Sequence, residues 1–206
     1  MRNKAGTVCM VLGAALVLAA LSLFLFNQRE DRQAGEAAGN ILCQIVEEIE
    51  QPESTDIAQE PSYPDPYDTE MTVTEIDGYG YVGYLSIPAI DIELPVMSQW
   101  DYERLKIAPC RYTGSTKADN LVIAGHNYTR HFGQLKELAE GDKVLFTDMD
   151  GTVWVYEVVV VEVLAPTAVK DMTASGYDLT LFTCTYGGAS RVTVRCDRAE
   201  EETCVD

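Results

Sequence analysis

The 206-residue chain has few basic residues and few histidines, and each shortage excludes a class of function. Fifteen lysines and arginines stand against 33 acidic residues, so the formal net charge is −18. Without a basic stripe, the sequence excludes nucleic acid as a partner. The two histidines and six cysteines form no Cys-x-x-Cys or Cys/His pair with the spacing of a zinc site. We therefore expect no metal site.

Disulfide bonds are the usual fate of cysteines in an extracellular chain, but the spacing here does not favour a disulfide framework. Cys9 lies in an apolar run and Cys43 in a helical pattern near the N-terminus. Three further cysteines, Cys110, Cys196 and Cys204, leave any pairing among them open.

One long apolar run stands near the N-terminus. Residues 6–26 are apolar apart from Thr7 and Ser22, and as a helix they would span about 31 Å. Arg2 and Lys4 precede the run, which predicts a cytoplasmic N-terminus and an extracellular remainder. A cleaved signal peptide is the alternative, but the run is long and no small-residue cleavage site ends it. We predict that residues 1–29 are a cytoplasmic tail and an uncleaved, single-pass anchor in the cell membrane.

An acidic stem is predicted over residues 30–77, where fourteen acidic residues accompany a single base. Within it, residues 33–51 carry an apolar stripe at four-residue steps that predicts a helix (Ala37, Ile41, Ile45 and Ile49). Whether this helix rests on the following domain or is a solvated stalk stays open. Residues 52–77 have the composition of a linker. Their Asp65-Pro66-Tyr67 string leaves open a lid over a site.

The globular domain is predicted over residues 78–206. Short segments rich in aromatic and β-branched residues alternate with turn signals every 8–15 residues. Little helix is indicated, apart from short segments such as one capped by Asp101. This pattern predicts a mainly all-β fold, a closed antiparallel barrel of about eight strands with short helices.

Residues 178–198 contain the most informative stretch. A strand ends at Cys184, a loop with two glycines follows, and a second strand begins at Arg191. If Cys184 pairs with Arg191, their side chains share a face with Cβ atoms about 5 Å apart. A thiolate nucleophile and an anion-stabilising guanidinium would then meet. Arg195 is the competing arginine, but in this register it lies opposite Thr180, about 13 Å along the strand.

Such a nucleophile needs a base, and only two histidines are available. His126 follows a predicted buried strand at residues 121–124 and is the favoured base. His131 is its competitor, at the start of a helical stretch. Thr183 precedes the nucleophile and is a candidate for substrate binding through its hydroxyl or a neighbouring backbone N–H.

Three of these motifs together resemble the sortase family of membrane-anchored cysteine transpeptidases. Residues 180–184, Thr-Leu-Phe-Thr-Cys, are similar to the family's TLxTC signature. Residues 121–126, Leu-Val-Ile-Ala-Gly-His, resemble its histidine-bearing strand, and Arg191 stands where its arginine begins the last strand. The resemblance covers about residues 79–198. It implies a sortase-type eight-stranded barrel with His126, Cys184 and Arg191 as catalytic residues.

The resemblance also implies a reaction and its partners. The first substrate would be a secreted protein with an LPxTG-like C-terminal sorting signal. The acceptor would be an amine of a peptidoglycan precursor or cross-bridge, or a pilin lysine. No cofactor is expected. Calcium activates some members of the family, and the acidic loops here permit it without any ligand spacing that demands it.

The sortase class stays open. The stretch at residues 163–178 lacks room for the long helical insertion of class B, and no apolar C-terminal segment marks the pilin-polymerising class. The Asp65-Pro66-Tyr67 string nevertheless resembles the lid of that class. We lean towards a housekeeping-like or class D-like enzyme, with a class B-like one not excluded.

Two rival interpretations are open to test. The first is a different cysteine enzyme of the cell wall. Papain-like enzymes place cysteine before histidine, whereas His126 here precedes Cys184. The Ser-His-Gly-Cys string of an L,D-transpeptidase does not occur in the sequence either. The second rival is a non-catalytic, membrane-tethered β-domain for adhesion or assembly, which predicts an unreactive Cys184.

Overall fold

A computed structural model describes residues 2–50 and 69–199, with side chains from residue 6 onwards. The chain forms two compact units, Met1–Gln33 and Ala34–Asp206. The predicted lid string and Cys204 lie outside the described residues.

The first helix, α1, extends over Arg2–Glu50. Among the described residues, it is the one helix long and apolar enough to cross a membrane, with a mean hydropathy of 2.7 over its best 18-residue window. None of that window is buried within the protein. A single apolar N-terminal helix of this kind is consistent with a membrane anchor.

The second unit is a β-barrel. Its strands are β1 (Thr74–Ile76), β2 (Tyr79–Ile87), β3 (Ile92–Met97), β4 (Cys110–Thr113), β5 (Leu121–Gly125), β6 (Lys143–Asp148), β7 (Val153–Leu164), β8 (Leu179–Cys184) and β9 (Arg191–Arg198). They are hydrogen-bonded in the order β1-β2-β3-β4-β5-β8-β9-β7-β6, and β6 pairs with β2. That last pairing closes β2 to β9 into eight strands, which confirms the predicted eight-stranded barrel. The strand β1 is an extra edge strand that begins before residue 78.

The barrel is mixed, and the expectation of purely antiparallel pairing was wrong. Two neighbouring pairs, β3–β4 and β5–β8, are parallel. The chain segment between β5 and β8 contains β6, β7 and the short helix α2 (Val169–Thr173). A connection of this length is what parallel pairing needs, since a tight hairpin can join only antiparallel strands. The parallel pairing has a consequence for the site, because β5 and β8 end at the same edge.

Short 3₁₀ helices and tight turns join the strands. They cover Pro88–Ile90, Arg104–Lys106 and Phe132–Glu137. The predicted cap is observed, because the Asp101 carboxylate accepts hydrogen bonds from the backbone N–H groups of Glu103 and Arg104 at 2.9 and 2.8 Å. These bonds satisfy donors that a helix start leaves without a partner.

Residues 34–50 of α1, hereafter the stem helix, pack on the barrel. Ala34, Ala38, Ile41 and Ile45 are buried there. Ile41 and Ile45 join a cluster that includes Tyr81, so the question left open by the sequence is answered in favour of contact with the domain. Burying one such isoleucine contributes about 1.5–3 kcal/mol.

The interior is apolar and contiguous. Its main cluster draws on the alternate inward-facing residues of the strands and on the 3₁₀ helix Phe132–Glu137, including Val82, Leu85, Leu121, Ile123, Phe146, Leu181 and Val194. Alternation along each strand places the opposite set of side chains on the outer face. The outer-face residues carry the candidate chemistry.

Candidate active site

Strand pairing brings the candidate nucleophile and the candidate arginine together. In the antiparallel pair of β8 and β9, Cys184 lies opposite Arg191 and Thr180 opposite Arg195, which is the predicted register. Directly opposed side chains have Cβ atoms about 4.5–5.5 Å apart. Cys184 is exposed and Arg191 is half-buried, so both are accessible at the barrel edge.

The parallel pair of β5 and β8 brings the candidate base to the same edge. Gly125, the last residue of β5, pairs with Thr183. The next residues, His126 and Cys184, therefore leave the ends of neighbouring strands, whose backbones are about 4.8 Å apart. These residues are far apart in the sequence, and the parallel crossover is what makes them neighbours.

The loop after β5 holds the His126 ring. The ring stacks on Tyr128, with centroids 3.9 Å apart and planes inclined by 16°. The Phe132 backbone N–H donates to the His126 carbonyl at 3.1 Å. Glycine is required at residue 125, because a Cβ there would lie 2.4 Å from the Phe132 ring. The role of Tyr128 was missed, although its place two residues after the histidine was the available signal.

His131 does not share this setting. Its side chain is fully buried, and its ring lies edge-on to Tyr128 with centroids 5.5 Å apart. His131 is thus buried in the loop interior, whereas Cys184 is exposed and His126 follows the strand that pairs with β8. The geometry therefore favours His126 as the base.

The loop between Cys184 and Arg191 is tied by its own hydrogen bonds. Thr185 and Ser190 form a clasp in which the Thr185 N–H donates to the Ser190 carbonyl at 3.0 Å and the Ser190 N–H donates to Thr185 Oγ1 at 3.1 Å. Gly187 and Gly188 adopt φ values of 82° and 74°, a region that favours glycine. The predicted two-glycine loop is thus a hydrogen-bonded turn between the two candidate residues.

Arg191 is anchored within that loop. Its Nη1 group donates to the carbonyls of Gly188 and Ser190 at 3.1 and 3.0 Å. A guanidinium has five N–H donors. Nη1 supplies two of them. The donors on Nε and Nη2 make no hydrogen bond to the described residues, so they are available to an oxyanion.

Arg195 occupies a sealed network on the outer face. It is 2% exposed, and its Nε forms an ion pair with Glu162 at 2.9 Å. Nη1 donates to Thr180 Oγ1 at 3.0 Å and to the Met172 carbonyl at 3.3 Å, and Nη2 donates to the Asp171 carbonyl. These bonds join β9 to β7, β8 and α2. The geometry therefore gives Arg195 a structural role, which is to hold these elements together.

Thr183 points into the protein. Its side chain is 3% exposed, and its hydroxyl donates to the Gly125 carbonyl at 2.9 Å. This bond ties the strand that ends at Cys184 to the strand that ends at His126. The hydroxyl proton is already donated and the side chain is buried, so a positioning role fits the geometry better than the predicted contact with a substrate.

The remaining described cysteines differ from Cys184 in their surroundings. Burial raises the pKa values of Cys110 and Cys196 from 9.0 to about 12, so both thiols stay protonated at neutral pH. Neither forms a disulfide in the structure. Cys43 is exposed, but it lies on the stem helix.

A row of aromatic side chains leads away from the site along the outer face. Phe182 lies two residues before Cys184 and therefore on the same face of β8. Its ring is 5.4 Å from Tyr112, which is 5.0 Å from Trp100. Phe182 and Tyr112 belong to an outer apolar cluster with Val122, Ala124 and Met172. The described residues contain no group of three metal-ligating side chains placed to hold an ion.

Comparison with known proteins finds sortases with a similar sequence or fold. A model of the sortase domain matches residues 85–199, more than half of the chain. The structure of sortase C from Streptococcus pneumoniae matches with a TM-score of 0.55 at 24% identity, covering 80% of this chain and 95% of that one. Comparison with curated proteins found no match.

Two clostridial structures are also similar. Sortase C from Clostridium perfringens SM101 matches with a TM-score of 0.53 at 20% identity, covering 84% of this chain and 90% of that one. A sortase D5 transpeptidase from Clostridium perfringens matches with a TM-score of 0.53 at 18% identity, covering 64% and 83%. At these identities the likeness shows the fold, and relatives from two classes leave the class open. The family and the fold support a transpeptidase of the sortase type. On the domain match, this chain belongs to the sortase family.

Proposed function

We propose that this protein cleaves a sorting signal through a thioester on Cys184 and passes the acyl group to an amine. The observation that carries the proposal is the meeting of three strand ends. The parallel β5–β8 pair supports a role for His126 beside Cys184, and the β8–β9 register supports one for Arg191.

In the first half of the reaction, His126 accepts the Cys184 thiol proton and the sulfur attacks the carbonyl carbon of the scissile peptide bond. The carbonyl oxygen becomes an oxyanion, which the free N–H groups of Arg191 stabilise. When the tetrahedral intermediate collapses, the C–N bond breaks and His126 returns the proton to the leaving amine. A thioester remains on Cys184.

In the second half, an acceptor amine attacks the thioester carbonyl and His126 accepts a proton from that amine. The C–S bond breaks, Cys184 leaves as a thiolate, and a new amide bond forms. The acceptor is an amine of a peptidoglycan precursor or cross-bridge, or a pilin lysine. All proton and acyl transfers use the protein's own residues, so the reaction needs no cofactor. Calcium binding would act only as an additional regulator.

The outer face offers a path for the signal. An extended peptide advances about 3.3 Å per residue, so four residues of an LPxTG-like signal could lie along Phe182 and Tyr112 while the scissile bond rests at Cys184. Phe182 itself is buried, so the exposed Trp100 and the half-buried Tyr112 are the side chains of this row that apolar residues of the signal would contact. This arrangement makes the residues before the scissile bond the main determinants of specificity.

The N-terminal helix supports a site of action at the membrane. We propose that it is a single-pass anchor, with the N-terminus cytoplasmic after Arg2 and Lys4 and the barrel extracellular. Secreted substrates and cell-wall amines are both available at that surface. Tethering raises their effective concentration at the enzyme.

The test uses the full chain with a library of sorting-signal peptides. Wild type should cleave at least one peptide and join its acyl part to an added amine, whereas Cys184→Ala should lose both activities. Cys43→Ala is the matched control, because Cys43 is also exposed but lies on the stem helix. Equal cleavage by Cys184→Ala and wild type would exclude the mechanism.

Alkylation distinguishes the enzyme from a non-catalytic tethered β-domain, which the family membership does not favour. At neutral pH, iodoacetamide should modify Cys184 faster than Cys43, because His126 can accept the proton of the first thiol. His126→Ala should remove that difference. A Cys184 no more reactive than Cys43, in a chain that cleaves no peptide, would support the β-domain.

A further inference from the structure

We propose that the stem helix positions the loop that carries His126, with Gly35 as the point of contact. The inference rests on the proposed role of His126 as the base. A Cβ at residue 35 would lie 2.3 Å from Cδ of Arg130, 3.2 Å from its Cβ and 3.3 Å from its Cγ. Real Cβ atoms do not approach a neighbour at 2.3 Å, so the observed packing of the Arg130 side chain on the helix requires glycine at residue 35.

The three contacts with Arg130 differ in how easily they can be relieved. The Cδ atom can move away by a change of side-chain rotamer. The Cβ atom cannot, because its position is fixed by the backbone of the loop. A Cβ at residue 35 would therefore require the loop backbone at residue 130 to shift by a few tenths of an ångström, in addition to a new Arg130 rotamer.

The loop is stiff enough to transmit such a push. The N–H groups of His131 and Gly133 both donate to the Tyr128 carbonyl, at 3.0 and 2.9 Å. Arg130 lies within this hydrogen-bonded turn, between Tyr128 and His131. A displacement at residue 130 must therefore move or break the turn that contains Tyr128. The ring of Tyr128 stacks on the His126 ring, so the imidazole would move with it.

The loop has no room to yield towards the barrel. Phe132 already packs so closely on β5 that a Cβ at Gly125 would overlap its ring. A Cβ at Gly133 would lie 2.7 Å from the Tyr128 carbonyl oxygen. Ala38 of the stem helix belongs to the same apolar cluster as Phe132, so helix and loop share one packed support. The exposed Arg130 side chain can turn into solvent, but the backbone at residue 130 can shift only together with this packed turn.

Gly39 offers a matched control on the same helix. It follows Gly35 by about one turn, is exposed, and a Cβ there would meet nothing within 4 Å. Replacing either glycine improves helix propensity to a similar extent. A difference between the two substitutions therefore reports the contact with Arg130.

The experiment compares Gly35→Leu with Gly39→Leu in the full chain in detergent micelles, labelled with ¹³C in the histidine rings. Only two histidines are present, so His126→Ala assigns the ring signals. We expect Gly35→Leu to shift the His126 signal and its titration midpoint. For a cleaved peptide, kcat should fall about tenfold with KM within twofold of wild type. Gly39→Leu should match wild type in every measurement.

A second pair protects the test against misfolding. If circular dichroism shows that Gly35→Leu is unfolded, Gly35→Ala and Gly39→Ala repeat the comparison with a smaller displacement. Adding Arg130→Gly to Gly35→Ala removes the Arg130 Cβ and should return the His126 signal towards its wild-type position. Identical His126 signals and titrations in the folded Gly35 and Gly39 variants would overturn the inference. The ring signals need no turnover, so failure of wild type to cleave any peptide would refute the proposed function separately.

Discussion

Arg191 and Arg195 lie four residues apart on one strand, on the same face, yet their surroundings are opposite. Arg191 stands at the barrel edge and is half-buried, and within the described part of the chain its guanidinium donates only to carbonyls of its own loop. Arg195 is 2% exposed and is bound to Glu162, Thr180 and the carbonyls of α2. The same chemical group thus has two nitrogens, Nε and Nη2, without hydrogen bonds to the described residues in one place, and four hydrogen bonds that use all three nitrogens in the other.

This contrast shows that side chains available to a substrate and side chains that stabilise the fold occupy different parts of the same strand. At the edge, strands end and side chains remain accessible, so a guanidinium there can meet a substrate. Four residues further along β9, the strands β7 and β8 and the helix α2 supply hydrogen-bond partners to the Arg195 guanidinium. Variants at the edge should therefore change activity without changing stability, and variants in the sealed region should do the reverse.

The largest expected effects come from the arginines themselves. Arg191→Ala should lower kcat about 10²–10³-fold, as loss of an oxyanion donor does, while the thermal midpoint stays within a few degrees of wild type. Arg195→Ala should destabilise the fold by about 3 kcal/mol, at the lower end for a broken buried pair because Glu162 is partly exposed. Peptide cleavage and urea unfolding measure both. A large loss of kcat in a stable Arg195→Ala would reverse the assignment.

The stem helix extends the contrast to residues far from the site. Ile45 is fully buried, and Ile45→Ala should cost about 2–4 kcal/mol in the free energy of unfolding. Cys43→Ala, at an exposed position of the same helix, should be neutral. Urea unfolding compares the two. A truncated chain that begins at residue 69, and so keeps β1, should likewise be less stable than one that begins at residue 34, and equal stability would contradict the packing described.

High pH should weaken the interior. Burial raises the pKa values of Cys110 and Cys196 from 9.0 to about 12 and that of Tyr156 from 10.0 to about 12. Between these values the unfolded chain releases protons that the folded chain keeps, so stability is fully present below pH 9 and falls as pH rises towards 12. Each group contributes up to about 1.4 kcal/mol per pH unit. Urea unfolding from pH 8 to 11 should show a shallower fall in Cys110→Ala than in Cys43→Ala.

The smallest expected effect concerns Thr183, which is next to Cys184 at the barrel edge but has a buried side chain. Thr183→Val keeps the shape but removes the hydrogen bond to the Gly125 carbonyl. We expect a loss of about 1 kcal/mol in stability and a fall of a few-fold in kcat, since the ends of β5 and β8 become less well held. A KM increase without a change in kcat would instead favour the predicted contact with substrate.

Several elements could be predicted from local sequence patterns. Alternating residues marked β2, β7 and β9, and Asp101 marked its cap. The register of Cys184 against Arg191 followed from the short loop between them, because a hairpin leaves few ways to pair. The strand β4 was missed, since Cys110–Thr113 is short and has little alternation. The stem helix was predicted from its apolar stripe, but the stripe did not show whether the helix would pack on the barrel.

The sequence by itself determined the apolar helix, the strands and the pairing of residues close along the chain, because these depend on local periodicity and short loops. Only the tertiary structure decided that β8 pairs in parallel with β5, bringing His126 to Cys184. It alone separated Arg191 from Arg195 by their partners and placed Gly35 against Arg130. Each of these depends on contacts between distant segments, whose closeness arises only when the barrel closes and buries its shared core.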